Sequence, residues 1–200
     1  MRTRFIPVAL LVGALVAGCA SMTERTLLRE VVEESRSATS TLGRVAVVAV
    51  DSDAASRKAW EDAFASRLAT RGVAAAAGEG LRSGAKVDAD ATLVDGAAVI
   101  DAARRAGADA ILFVTPPNAV PVAAGRSAFR WFGATSAPDI RTDLDTTPSS
   151  VTEVRLYNLK TNVGVWRGMV LQYYPKPGSA DAPQIAESVV AGLAKRGYLR

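Results

Sequence analysis

Histidine is absent from this chain, and cysteine occurs once, at Cys19. Without histidine there is no Ser-His-Asp triad and no Cys-His pair. Nor does a zinc site of the usual histidine and cysteine type form within one chain. Any catalysis is left to carboxylates, lysine, tyrosine and hydroxyls. Charge of one sign is also lacking: 24 Lys and Arg stand against 20 Asp and Glu. Two of those basic residues, Arg2 and Arg4, sit at the very start, so the remainder is too balanced for a nucleic-acid binder. No long hydrophobic run occurs either. The apolar stretch from Phe5 to Ala17 falls short of the roughly 20 residues a bilayer-spanning helix needs. What is present is an apolar content of 49%, ample for a core.

The opening segment has the parts of a secretory signal: Arg2 and Arg4, then the apolar run, then the small residues Val16-Ala17-Gly18. An ordinary signal would strand Cys19 as an odd thiol in an oxidising compartment. Small residues ending in a cysteine resemble a bacterial lipoprotein signal. The resemblance implies diacylglycerol on the Cys19 sulfur, cleavage after Gly18 and a further acyl chain on the new amine. Ala20 and Ser21 follow, with no aspartate, which resembles lipoproteins passed to the outer membrane. The expected organisation is a signal at 1–18, a lipidated anchor with helix and linker at 19–43, and one α/β domain at 44–200.

Ser21 and Glu24 are spaced as a capping box. Leu27, Leu28, Val31 and Val32 fall on one helical stripe, which predicts an amphipathic helix over 22–36. Its stripe would pack on the domain, self-associate or lie on the membrane surface. Ser35–Gly43 reads as a linker. Arg44–Val50 is a continuous β-branched run, suited to a strand covered on both faces. Asp51, Ser52 and Asp53 can cap a helix bearing Trp60, Phe64 and Leu68, and Gly72 ends it. Val73–Ala77 is a short strand. Asp95 can cap a helix with Val99, Ile100 and Ala103, ended by Gly107. Asp109–Thr115 is the next buried strand. Residues 116–150 show no period and form a long loop. Val151–Leu159 alternates, with Glu153, Arg155 and Tyr157 on an expected wet face, and Val163–Tyr174 returns across a turn at Asn158–Asn162. Asp181 and Gln184 open a last helix carrying Ile185, Val189 and Leu193, ended by Gly197. The expected fold is α/β in the order α-βαβ-αβ-ββ-α: a mixed sheet of about five strands with helices packed on it.

The pieces "RVAVVAV", "RLATRGV", "ARRAGADAILFVT" and "VRLYNLKTNVGVWRG" follow one another behind the lipoprotein signal. In this order they resemble periplasmic lipoproteins with the fold of the TolB N-terminal domain, a group that includes LpoB-type activators of peptidoglycan synthases and CsgG-type exporters. The likeness covers residues 44–115 and 151–197. It implies a docking or ring-forming module with no enzymatic activity. Two departures stand out. The tether is short where LpoB-type proteins carry a long proline-rich one. Residues 118–132 lack the clear alternation of a membrane β-hairpin, with Pro121, Gly125, Arg126 and Arg130 breaking it.

Gly78, Gly80 and Gly84, with Lys86 nearby, invite a phosphate-loop reading. Their spacing matches neither the dinucleotide fingerprint nor the Walker loop, so a flexible turn is expected. Asp139, Asp143 and Asp145 lie in the long loop without EF-hand spacing, so no metal site is expected. No acid pair is placed for glycoside hydrolysis. Arg126, Phe129, Arg130, Trp131 and Phe132 group the residue types enriched at interface hot spots. They would dock a partner protein, touch the membrane interface or fold back into the core. Tyr157, Trp166, Tyr173 and Tyr174 read as sheet packing. The function expected is a lipid-anchored periplasmic binding or adaptor protein at the outer membrane, without cofactor or catalysis. The alternatives are a homo-oligomeric envelope or export assembly, and a small-ligand binder or carboxylate-based enzyme.

Overall fold

A computed structural model describes residues 25–31, 41–51, 53–82, 96–117, 150–173 and 182–199. In chain order the elements are β1 (Arg25–Val31), β2 (Arg44–Ala49), α1 (Ala54–Ala69), β3 (Ala74–Ala77) and α2 (Gly78–Arg82). Then come α3 (Gly96–Arg105), β4 (Ala110–Thr115), β5 (Ser150–Asn158), β6 (Val163–Tyr173) and α4 (Ala182–Lys195). Six strands make one mixed sheet in the order β1-β6-β5-β4-β2-β3. β3, β2 and β4 are parallel, and β5, β6 and β1 extend the sheet antiparallel.

The unbroken apolar run of β2 is explained by cover on both faces. Val45, Val47 and Ala49 face α1 and α4, which contribute Trp60, Phe64, Leu68, Ile185, Val189 and Leu193 to the main core. Ala46 and Val48 face the other way, with Ile111 and Phe113 of β4, against Leu81 of α2 and Val99 and Ala103 of α3. The result is three layers over the parallel half of the sheet. Asp53 caps α1 by accepting the Ser56 amide at 2.6 Å. Gly72, Gly107 and Gly197 follow α1, α3 and α4 with positive φ, the conformation a helix stop requires.

The N-terminal helix is corrected to a strand. Residues 25–31 pair antiparallel with β6, from Arg25 opposite Tyr173 to Val31 opposite Arg167. Leu27 and Leu28, neighbours on one helical stripe, point to opposite faces in a strand. Leu28 packs on the main core, whereas Leu27 is 40% exposed. A waiting edge on β6 pairs the backbone groups that face it along the whole segment, and that tertiary pairing outweighs local period. The strand is held from above as well. Arg196 Nε donates to Glu30 Oε2 at 2.6 Å, and Gly192 brings α4 so close that a Cβ there would lie 2.7 Å from Leu28 Cδ2. Among the described residues the mixed sheet therefore has six strands, the sixth being this N-terminal edge.

The hairpin forms where expected. Asn158 Oδ1 accepts the Lys160 and Thr161 amides at 2.8 and 3.1 Å, and Asn162 closes the turn at φ 60°. Its wet face is a second correction: Arg155 and Tyr157 are buried.

Candidate functional site

Cys19, Gly18 and the cluster Arg126, Phe129, Arg130, Trp131 and Phe132 lie outside the described residues, as do Asp139, Asp143, Asp145, Gly84 and Lys86. The topology still fixes where the long segment is attached. The chain leaves β4 after Thr115 and re-enters β5 at Ser150. Thr115 pairs with Glu153, and Ser150 pairs with Gln172, next to the Arg25–Tyr173 pair that starts β1. Both ends of segment 118–149 thus sit at the sheet end where β1 begins.

That end also holds the place where an open α/β sheet usually binds ligands. The β2–β3 crossover uses α1 on one face, and the β3–β4 crossover uses α2 and α3 on the other, so the connections diverge between β2 and β4. Here the opening helix is filled by its own acids. Asp53 takes the Ser56 amide, and Asp51 accepts the Asp53 amide at 3.0 Å and the Ser56 hydroxyl at 2.6 Å. Two carboxylates give the crevice the wrong sign for a phosphate. Gly78 and Gly80 do not form a flexible turn either, and this too is a correction: both lie in α2, which starts at Gly78. A Cβ on Gly78 would fall 2.7 Å from the Glu61 carboxyl carbon, and Glu61, buried in α1, accepts the Ala49 amide at 3.0 Å. The glycine is there to let α1, β2 and α2 meet.

The opposite end of the sheet is stapled. Asp109 Oδ2 accepts the Gly43 and Arg44 amides at 2.9 and 3.0 Å, and its Oδ1 meets Lys160 Nζ at 3.3 Å. Burial pushes the Asp109 pKa up, but the two amides and Lys160 outweigh it, leaving the carboxyl below its ordinary value. The Arg104 guanidinium donates to Asn162 Oδ1 at 2.9 Å, as does the Tyr157 hydroxyl at 2.5 Å. Burial raises the Tyr157 pKa against the opposing pull of Arg104. These groups hold strands and turn together.

The most unusual chemistry lies on β5 and β6, on the sheet face shared with α2 and α3 but beyond those helices. Glu153 and Arg155 project on one face of β5, and Arg155 stands directly opposite Arg167 of β6. Glu153 Oε1 meets Arg155 Nε at 2.8 Å and Arg167 Nε at 2.7 Å. The arginine side chains are only 6% and 7% exposed. Two buried guanidiniums thus share one carboxylate oxygen. The Arg167 contact is close but off the N–H line, so it is an ion pair and not a hydrogen bond, and Arg167 Nη2 is buried with no acceptor. Met169, Leu171, Tyr173 and Val151 continue the face as a small apolar cluster whose described members all come from strands. Sequence reading missed this group. The available signal was Glu153-x-Arg155 on one strand face and Arg167 on the returning strand, one residue further from the turn than Arg155 because of the register shift at Leu156/Tyr157.

Tyr157, Trp166 and Tyr173 are buried in the sheet layers, as expected, while Tyr174 lies outside the described residues. Among the described residues, no three potential metal ligands come together, and no helix is long and apolar enough to cross a membrane.

No family model matches the chain, and no curated protein matches it. Among solved structures, it is similar to a PelC dodecamer from Paraburkholderia phytofirmans at 14% identity and a TM-score of 0.46, covering 88% of this chain and 99% of that one. A second PelC dodecamer from the same organism, of a point variant, is similar at 15% identity and a TM-score of 0.44, covering 85% of this chain and 96% of that one.

Proposed function

We propose that this chain is a lipid-anchored binding protein of the bacterial envelope, held at the periplasmic face of the outer membrane by acyl chains on Cys19. It acts by docking a partner protein, not by catalysis. The observation that carries this reading is the position of β1. Arg25 begins the edge strand only six residues after Cys19. A chain that short spans at most about 20 Å. The anchor therefore leads almost directly into the rigid sheet, with no tether long enough to cross a periplasm. Segment 118–149 leaves and rejoins the sheet at this same end, so Arg126, Phe129, Arg130, Trp131 and Phe132 belong to a portion of chain attached at the end of the sheet that the anchor enters. Two or three acyl chains hold firmly at ~0.8 kcal/mol per buried CH₂. Tethering raises effective concentration, so each protein contact can be modest.

The test is photocrosslinking in cells from position 131, in the native chain and in a chain with 20 Gly/Ser residues inserted between Cys19 and Arg25. The reading expects one envelope protein to be captured, with much weaker capture from the lengthened chain. It also expects Cys19→Ser to leave the membrane fraction. Membrane retention of Cys19→Ser, or absence of any captured protein, refutes it. Capture of a second copy instead supports the oligomeric alternative.

A further inference from the structure

We propose that the arginine pair on β5 and β6 is a binding site for a small organic carboxylate, distinct from the docking function above. The antiparallel register sets the face out in rows. Phe113, Arg155, Arg167 and Val31 form one row across β4, β5, β6 and β1. Thr115, Glu153, Met169 and Arg29 form the next, and Val151, Leu171 and Leu27 the one after. Like charges directly opposite each other repel, so Arg155 and Arg167 need an anion between them. Glu153 supplies one, a single carboxylate oxygen shared between the two guanidiniums.

The unsatisfied chemistry points the same way. The Nε and Nη2 edge of a guanidinium is a two-pronged fork shaped for a carboxylate. In Arg167 the Nε prong lies close to Glu153 without hydrogen-bonding to it, and the other, Nη2, is buried without an acceptor. Thr115 Oγ1 and the Tyr173 hydroxyl, on the same face, are likewise buried and unpartnered. Buried polar groups are satisfied in the great majority of cases, and an orphan on a charged group is the most costly kind. Beside the fork lie Met169, Leu171 and Val151, which form an apolar bed. An anion seat against a short apolar strip suits a carboxylate carrying a small hydrocarbon body better than a fully hydrated tetrahedral anion. No bond is made or broken; the site binds.

The experiment uses the lipidated chain in lipid nanodiscs, at constant ionic strength set with sodium chloride. Carboxyl-labelled ¹³C butyrate is titrated and followed by NMR, with acetate and inorganic phosphate in parallel. The expected result is saturable butyrate binding, tighter than that of acetate or phosphate. Arg167→Lys, which keeps the charge but loses the fork, weakens it at least tenfold, while Arg67→Met, an exposed arginine on the far side of the sheet, does not. Far-UV circular dichroism and the urea midpoint confirm that each variant is folded, and Arg167→Met serves if Arg167→Lys is not. The inference is overturned if butyrate gives no saturable signal, the result expected if water alone fills the site. Equal binding by Arg167→Lys, or phosphate binding as tightly as butyrate, overturns it too.

Discussion

Removing Glu153 is the sharpest test of how the antiparallel half of the sheet is built. Its Oε1 lies 2.8 Å from one guanidinium and 2.7 Å from another, and both arginine side chains are more than nine-tenths buried. Glu153→Ala leaves two positive charges facing each other across β5 and β6 with no counter-ion from this residue. Breaking a buried ion pair by deleting one partner typically costs about 3–5 kcal/mol, most of it from the charge left behind. Here two guanidiniums lose a shared partner at once, so a cost within that range is expected. That is a large share of the ~5–15 kcal/mol that stabilises an ordinary domain. Replacing all three groups together should be far milder, because the triple variant Glu153→Leu, Arg155→Met, Arg167→Met leaves no charge to desolvate. The assay is urea unfolding followed by tryptophan fluorescence, comparing midpoints at constant slope. The reasoning is refuted if Glu153→Ala shifts stability by less than about 1 kcal/mol, or if the triple variant is as unstable as the single one.

Gly168→Ala should cost ~1–3 kcal/mol by overpacking, because the new Cβ would fall on the six-membered ring of Trp166, a side chain that is 1% exposed. Adding Trp166→Leu should recover part of that loss, as read by the thermal midpoint. Asp109→Asn should destabilise the protein at neutral pH. The folded carboxyl titrates below its ordinary value, so its stabilisation is present above the unfolded pKa, near 4, and fades as pH falls through the folded one. The gap between wild type and Asp109→Asn in urea midpoint should therefore narrow on acidification, and a gap that widens contradicts the staple. Asn162→Ala should cost ~1–2 kcal/mol, from left-handed backbone strain and the lost acceptor for Tyr157 and Arg104. Asn162→Gly should restore the backbone share alone, measurable by chemical denaturation.

The parallel half of the fold was legible because its signals are long and redundant. Arg44–Val50 has no polar residue after its first, so only a strand covered on both faces suits it. Trp60, Phe64 and Leu68 repeat every fourth residue, and Asp53 and Gly72 bracket them. The N-terminal strand was illegible for the opposite reason. Leu27, Leu28 and Val31 are too few to separate a period of 3.6 from a period of 2, and what decides between them is the β6 edge, far along the chain. The Glu153–Arg155–Arg167 trio was hidden in a similar way. Alternating polar residues on a strand read as a solvent face, and only the hairpin register brings Arg167 opposite Arg155 and within reach of the Glu153 carboxylate. The glycines at 78 and 80 suggested a loop because glycine permits one, whereas the cause at Gly78 is the Glu61 carboxylate pressing from the neighbouring helix.

The edge strand has a consequence for how the protein comes to be folded. Residue 25 ends up beside residue 173, so β1 has no place to pair until β6 is present near the other end of the chain. A sheet closed by its most distant partners forms slowly, because the loop entropy is spent before any pairing repays it. During synthesis the first strand must wait while the other five assemble, exposing Leu27 and Leu28 with unpaired backbone groups. If the acyl chains proposed for Cys19 are attached in that interval, the last step of folding would take place against a lipid surface. Docking of β1 would then draw the sheet down onto that surface, so that completing the fold and seating the domain would become a single event.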